Sequence, residues 1–179
     1  MARQRLNISK QKHEVRKYLR QLEAELYLFA ADVGAAVQPL TVFISNDGIG
    51  EVFLPSRAVF EKINPRSQPT GIVFADSSFL VFHEVVRFGY PHETDTEPKN
   101  YRSLYGYHYQ RPEDHFYFRF DHHPDVGDRH THPLYHLHSA GWLEGATKLQ
   151  EGPRYEVSET TLARVLRLIP VTFPSIRRL

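Results

Sequence analysis

Apolar side chains recur every three or four residues near the start of the chain. The series is Val15, Leu19, Leu22, Leu26, Phe29 and Val33. A repeat of this kind places its members along one narrow stripe of an α-helix. The pattern predicts a helix over residues 9–33, and Gly34 is a typical residue at which such a helix ends.

The two sides of this helix allow three roles. The apolar stripe either packs against the protein's own sheet or docks a partner, and a homodimer through helix 9–33 is one such case. The opposite side is basic, since residues 1–20 hold seven Lys or Arg residues and one acidic residue, Glu14. That charge would also suit contact with the phosphates of RNA.

Shorter apolar stretches follow, and each is bounded by turn-forming residues. Leu40–Ser45 and Glu51–Leu54 flank Asn46, Asp47 and Gly48. Two apolar stretches around an Asn-Asp-Gly turn are typical of a β-hairpin, so the sequence predicts one here.

A polar segment separates this hairpin from the rest of the chain. Ser56 is expected to cap a short helix that runs to Ile63. Residues 64–70 then contain two prolines and no apolar side chain. We therefore predict a boundary between an N-terminal extension, residues 1–70, and a main domain, residues 71–179.

The main domain is predicted to have an α+β fold. A last apolar stripe predicts a helix that begins near Ser158 and ends at Pro170. We expect an antiparallel sheet of about four strands with flanking helices, and the N-terminal helix and hairpin as an extension. The four expected strands cover residues 71–75, 79–88, 101–110 and 115–121.

Composition narrows the classes of function. The formal net charge is +1, and cysteine is absent from the 179 residues. The charge argues against a globally cationic nucleic-acid binder, and the lack of cysteine excludes disulfides and cysteine-ligated zinc. There is no apolar run of the ~20 residues that a membrane helix needs, and no secretory signal pattern. The expectation is a soluble, cytoplasmic protein with no membrane partner.

Strand 115–121 predicts one apolar and one polar face. Its three phenylalanines alternate with Tyr117, Arg119 and Asp121, so the two sets lie on opposite sides of the sheet. If Tyr109 pairs with Phe116, then Gly106 lies opposite Arg119 and leaves space above the sheet for a guanidinium group. Arg119 and Asp121 are then either a surface ion pair or a phosphate-binding arginine oriented by a carboxylate.

Histidine is the unusual component of this chain. Ten of the 11 histidines lie between His83 and His138, and they include two His-x-His pairs. One interpretation is a metal-independent catalytic site for RNA cleavage. Cleaving RNA through its own 2′-hydroxyl needs a base, an acid and a cation, which histidine or tyrosine side chains and an arginine would supply. A divalent-metal site and a solvated His-rich loop remain the alternatives. The pairs are His130 with His132, and His136 with His138.

Aromatic side chains are dense in the same region, and exposed ones would suit stacking with unpaired RNA bases. Tyr117 is the aromatic residue that we expect to be exposed. The predicted substrate-binding residues are Tyr107, Tyr117, His122 and His123. His130 and His132 are the predicted metal ligands, if a metal is bound.

Two consecutive segments resemble the TumE-like toxins of prokaryotic toxin–antitoxin pairs. The segments are Tyr105–Gln110 and Phe116–His123, and they are followed by His136 and His138. The resemblance spans roughly residues 71–169, and Glu84 at a strand end also fits it. It implies a small toxin that acts on RNA and is silenced by a cognate antitoxin protein. The catalytic positions it suggests are His108, Arg119, Asp121, His136 and His138.

The main hypothesis is therefore a toxin that cleaves single-stranded RNA. Arg119 binds the scissile phosphate, His136 and His138 share acid and base roles, and Asp121 orients a neighbouring side chain. His108 and Tyr117 position the substrate. The rival hypotheses are a non-catalytic module that binds protein or nucleic acid, and a His-ligated metalloenzyme.

Overall fold

A computed structural model of the chain describes residues 6–64, 66–125, 133–141 and 154–173. Three helices and nine strands lie in these ranges. The helices are α1 (Ile8–Val33), α2 (Arg57–Phe60) and α3 (Leu162–Thr172). The strands are β1 (Ala36–Val37), β2 (Thr41–Ile44), β3 (Gly50–Leu54), β4 (Ile72–Val73), β5 (Phe79–Gly89), β6 (Lys99–Arg111), β7 (Phe116–His122), β8 (Tyr135–Gly141) and β9 (Arg154–Glu156).

The α+β class is confirmed, but the sheet is larger than the predicted four strands. All nine described strands join one antiparallel sheet in the order β1-β4-β5-β6-β7-β8-β9, with β3 and then β2 added beside β5. Strands β8 and β9 were missed because they lie in the His-rich and polar part of the chain, where the apolar pattern is weak. The predicted hairpin before residue 55 is part of the same sheet.

The two faces of the sheet carry different side chains. The α1 face packs against α1 and α3, and its central residues are Glu84, Tyr105, Tyr107, Tyr109 and Phe118. The opposite side, which we call the α2 face, lies beneath the single turn of α2. The α2 face carries Gly106, His108, Tyr117, Arg119, Asp121, His136 and His138.

Helix α1 uses its apolar stripe inside the molecule. Val15, Leu19, Leu22 and Leu26 are all buried against the sheet, and Gly34 ends the helix with a positive φ of 66°. The stripe is therefore not available for the predicted homodimer. That homodimer stays a prediction, and it would have to use other side chains of the helix, such as the exposed Leu28.

The ends of helices α2 and α3 differ from the predicted ones. Helix α2 is capped by Ser56 as expected, but it ends at Phe60 rather than Ile63. Helix α3 begins after Thr161 rather than at Ser158, and it continues past Pro170. Proline removes one donor from the last turn, yet the Phe173 N–H still donates to the Ile169 carbonyl at 2.9 Å, so the turn is completed.

The predicted division at residue 70 stays a prediction about domains. The chain before it nevertheless supplies α1, which covers the sheet, and β3, which pairs with β5. None of the helices in the described ranges has both the length and the apolar character of a membrane span.

Candidate active site

The pairing of β6, β7 and β8 brings the predicted residues of the α2 face into two rows. Gly106, Asp121 and His136 are cross-strand neighbours in one row. His108, Arg119 and His138 form the next row. The register is shifted by two residues from the predicted one, since Tyr109 lies opposite Phe118 and not Phe116. A shift of two keeps every side chain on its predicted face.

Asp121 is the centre of the resulting cluster. The Arg119 Nε–H donates to Asp121 Oδ1 at 2.8 Å. His138 Nε2 and His136 Nε2 lie 3.7 and 3.9 Å from Asp121 Oδ2, beyond direct hydrogen-bond distance. Asp121 is only 7% exposed, and among the described residues Arg119 is the cation that pairs with its charge.

The two histidines differ in their surroundings. His136 is buried, and its Nδ1–H donates to the Pro133 carbonyl at 2.8 Å. A carbonyl can only accept, so this contact places a proton on Nδ1 and turns Nε2 toward Asp121. His138 is partly exposed, and burial lowers its pKa to about 4 although Asp121 acts in the opposite direction. His138 is therefore a neutral imidazole at pH 7.

Gly106 makes room for this cluster, as predicted, although it lies opposite Asp121 rather than Arg119. A Cβ atom at Gly106 would come within 2.6 Å of Phe60 Cζ and 3.0 Å of Asp121 Oδ1. The Arg119 guanidinium carbon sits 5.0 Å from the centre of the Phe60 ring, a cation–π distance. Phe60 thus covers the arginine from α2, a contribution that the sequence pattern did not reveal.

A cavity of about 420 Å³ opens beside Arg119 and Asp121. His123 lines it, as do Phe60, Arg57 and His83 from the earlier part of the chain. His83 stacks on Phe53, and its Nε2 lies 3.0 Å from Glu51 Oε1. No role was predicted for Glu51, Phe60 or His83 from the sequence, because all three lie outside the segments 105–123 and 136–138 that carry the recognised motif.

His108 and Tyr117 are placed at the α2 face but within the packed interior. Tyr117 is 1% exposed, so its expected exposure is wrong. The two rings stack with centres 5.6 Å apart. Burial, with a smaller contribution from Arg119, lowers the pKa of His108 to about 3. Both residues are therefore in position to support Arg119 from beside it rather than to touch a substrate.

Two of the predicted substrate-binding residues lie on the other side of the sheet. Tyr107 is buried on the α1 face, where its hydroxyl donates to Glu84 Oε1 at 2.6 Å. His122 packs between Tyr105 and Tyr135, at the edge of a larger cavity of about 700 Å³. Neither residue meets Arg119, because neighbouring positions along a strand point to opposite faces.

The larger cavity is a weaker candidate for chemistry than the smaller one. Its principal cation, Arg102, already donates to Glu159 Oε1 at 2.5 Å and to the Thr160 carbonyl at 2.8 Å.

The predicted metal ligands His130 and His132 lie outside the described residues. Among the described residues, the ligand atoms of Asp121, His136 and His138 do lie within 4.8 Å of one another, close enough to hold one metal ion after small rotations.

Comparison with known proteins identifies the family. The family model of toxin TumE matches residues 50–171, more than half of the chain. The chain belongs to the TumE toxin family. Searches of curated proteins and of solved structures return no match. Membership in the TumE family implies the toxin of a toxin–antitoxin system, with a cognate antitoxin as partner.

The extent of the TumE match corrects the predicted one. The resemblance seen in the sequence began near residue 71, whereas the match begins at Gly50, the first residue of β3. It therefore includes β3, α2 and Phe60, which complete the α2 face. The TumE-family region thus contains the whole described cluster around Asp121.

Proposed function

We propose that this TumE-family toxin is a ribonuclease that cleaves single-stranded RNA at the Asp121 cluster. The observation that supports this most directly is the gathering of one arginine, one carboxylate and two imidazoles on one face of the sheet, beside a cavity. A cation for the phosphate and groups that can exchange protons are what RNA cleavage through the 2′-hydroxyl needs.

The proposed reaction is a transfer of the phosphate from one ribose oxygen to another. A base takes the proton from the 2′-hydroxyl, and the 2′-oxygen forms a new bond to phosphorus. The bond from phosphorus to the 5′-oxygen of the next nucleotide breaks, and an acid returns a proton to that oxygen. The products are a 2′,3′-cyclic phosphate and a free 5′-hydroxyl, with no net change in protons.

The side chains of the cluster have distinct parts in this reaction. Arg119 holds the scissile phosphate and stabilises the negative charge that develops on its oxygens. Its guanidinium suits this part because only Nε donates to Asp121, and the side chain is about a quarter exposed. His136 and His138 share the acid and base steps, and Asp121 orients them and Arg119.

The surrounding residues position this machinery. His108 is the cross-strand neighbour of Arg119 and stacks on Tyr117, so the pair limits the movement of the arginine from below. His123 lines the cavity and is the predicted substrate-binding residue best placed for contact with RNA. Tyr107 and His122 face the opposite side and take no part in the proposed reaction.

The decisive experiment incubates purified protein with single-stranded RNA at neutral pH, with and without EDTA. The Arg119→Ala variant is the test, and Arg87→Ala, which removes an exposed arginine of the same sheet, is the matched control. We expect cleavage that survives EDTA, persists in Arg87→Ala and is lost in Arg119→Ala. Circular dichroism and thermal melting check that each variant is folded.

Two outcomes would overturn parts of the proposal. Full cleavage by a folded Arg119→Ala protein would remove Arg119 from the reaction. The absence of RNA cleavage by the wild-type protein in every condition would reject the ribonuclease, and would favour a toxin that acts by binding.

A further inference from the structure

The carboxylate and the two imidazoles of the cluster are spaced like ligands around one ion. Asp121 Oδ2 lies 3.7 Å from His138 Nε2 and 3.9 Å from His136 Nε2. One ligand atom from each of the three side chains lies within 4.8 Å of the other two. Zinc bonds nitrogen and carboxylate oxygen at roughly 2.0–2.2 Å, which puts neighbouring ligands of a tetrahedral ion roughly 3.4 Å apart. The two distances to the carboxylate need to shorten by only a few tenths of an ångström.

The second atoms of two of these ligands are already held by the protein. His136 donates its Nδ1–H to the Pro133 carbonyl, so Nε2 is the ring nitrogen that faces Asp121 and is the one placed to bind a metal. Asp121 accepts from Arg119 through Oδ1, so it is Oδ2 that faces both histidines. Contacts of this kind fix the tautomer of a metal-binding histidine and the orientation of a metal-binding carboxylate.

We propose that Asp121, His136 and His138 bind one divalent transition-metal ion of the zinc type. The proposal of a metal site rests only on this geometry. The bound metal inhibits RNA cleavage, and this second part rests on the proposed ribonuclease function.

The donor set defines the class of metal. Two imidazoles and one carboxylate suit zinc and its transition-metal neighbours, whereas magnesium and calcium prefer oxygen ligands. Arg119 places a positive charge beside the ion and so reduces its affinity. The metal is therefore expected to bind reversibly and to be removed by EDTA.

Inhibition follows from the atoms that the metal would occupy. A bound ion uses the Nε2 lone pairs of both histidines, which then cannot take up or release a proton. It also shares the carboxylate that orients them. An acid–base ribonuclease would lose its base and its acid in one step.

The binding experiment uses the full-length protein at pH 7.5, stripped with EDTA and dialysed. Isothermal titration with ZnCl₂ measures affinity and stoichiometry, and visible absorption of added Co²⁺ reports the ligand geometry. We expect one reversibly bound ion per chain and a Co²⁺ spectrum typical of nitrogen and oxygen ligands. Neither readout depends on catalytic activity.

Variants decide which side chains hold the ion. Asp121→Asn and His138→Gln are expected to weaken Zn²⁺ binding by at least about tenfold, since each replaces a ligand with a poorer one. The controls are His13→Ala, which removes an exposed histidine of α1, and the double variant His130→Ala/His132→Ala. Both controls should bind Zn²⁺ as tightly as the wild type does.

The outcomes separate the metal site from the ribonuclease. Two results would overturn the metal site: the absence of Zn²⁺ binding, or its loss in the His130/His132 variant but not in Asp121→Asn. In either case, cleavage in the presence of EDTA would still support the ribonuclease. Zn²⁺ binding at Asp121 with zinc-inhibited cleavage supports both. If cleavage instead requires the ion, the site stands and the acid–base mechanism fails.

Discussion

Two buried carboxylates, Glu84 and Asp121, sit on opposite faces of the same sheet, and each has an arginine nearby. Glu84 is fully buried on the α1 face, where it accepts from Tyr18 and Tyr107 at 2.7 and 2.6 Å. Arg102 in turn donates to the Tyr107 hydroxyl at 3.2 Å. Each oxygen of Glu84 therefore has a short hydrogen bond, and the group ties α1 to the sheet.

Asp121 on the α2 face is less completely bonded. Among the described side chains, only that of Arg119 reaches Asp121 within hydrogen-bond distance, while the two histidines stand 3.7 and 3.9 Å away beside a cavity. The number of short hydrogen bonds thus distinguishes a structural carboxylate from a candidate functional one when both are buried. Short bonds from rigid donors make Glu84 a fixed part of the core, whereas Asp121 can exchange partners when a substrate or an ion arrives.

Of the two carboxylates, Asp121 should give the largest effect on RNA cleavage when it is substituted. Asp121→Asn keeps the shape but removes the charge that orients Arg119 and the histidines. We expect RNA cleavage to fall by about 100-fold or more, with a small change in melting temperature. Single-turnover cleavage assays and thermal melts measure the two quantities. An active, folded Asp121→Asn protein would show that this carboxylate is only structural.

Substitution of Glu84, in contrast, should lower the stability of the protein and leave RNA cleavage unchanged. Glu84→Gln leaves one of the two tyrosine hydroxyls without its acceptor, so we expect the free energy of unfolding to fall by about 1–3 kcal/mol. A loss of that size lowers the melting temperature by several degrees. Cleavage measured well below the melting temperature should be unchanged. Lost activity at full stability would place Glu84 in the functional machinery.

The buried His108 is expected to make the stability of the protein depend on pH. Its pKa is lowered to about 3 in the folded protein, against 6.5 for an unperturbed histidine. The unfolded chain therefore binds the proton first, and stability present above pH 6.5 is lost as the pH falls toward 3. Between pH 7 and 5 this amounts to about 2 kcal/mol.

The comparison variant for this test is His108→Phe, which keeps a ring on Tyr117 but cannot be protonated. Urea unfolding at pH 7 and pH 5 measures the free energy of each protein. The wild type should lose more stability over this interval than the variant does. Equal losses would assign the acid sensitivity to other buried histidines, such as His83 and His122, whose pKa values are also lowered by burial.

The smallest expected effect is that of filling the space at Gly106. In Gly106→Ala the new methyl group meets the Phe60 ring at 2.6 Å, so α2 has to shift outward. We expect a loss of about 1 kcal/mol, because a single exposed turn can move more easily than a strand. Thermal melts of Gly106→Ala, Phe60→Ala and the double variant provide the measurement. If Gly106→Ala costs as much in the Phe60→Ala background as in the wild type, the contact with Phe60 is not the cause of the loss.

Local regularities of the chain were sufficient to predict several parts of this molecule. The stripe from Val15 to Val33 specified helix α1, and the alternation in residues 115–121 specified which side chains share a face. The same alternation placed Arg119 and Asp121 together. These features follow from the 3.6-residue and two-residue periods of regular backbone, which do not depend on the rest of the fold. The TumE-like motif lies in these same strands.

Other parts depended on elements that are distant in the sequence. Phe60 reaches Arg119 only because α2 folds over the α2 face. Tyr117 lies on the same face and is buried, although the alternation of the strand led us to expect it to be exposed. No local pattern states which face a later or earlier segment will cover.

Helix α1, the alternating faces of the strands and the family of this protein could all be predicted from short-range spacing in the chain. The nine described strands of the sheet could not, and neither could the meeting of His136 and His138 with Asp121 on the face opposite to Tyr107 and His122. Strand pairing and burial are set by contacts between segments far apart in the chain, and the polar, His-rich strand β8 carries little apolar signal of its own.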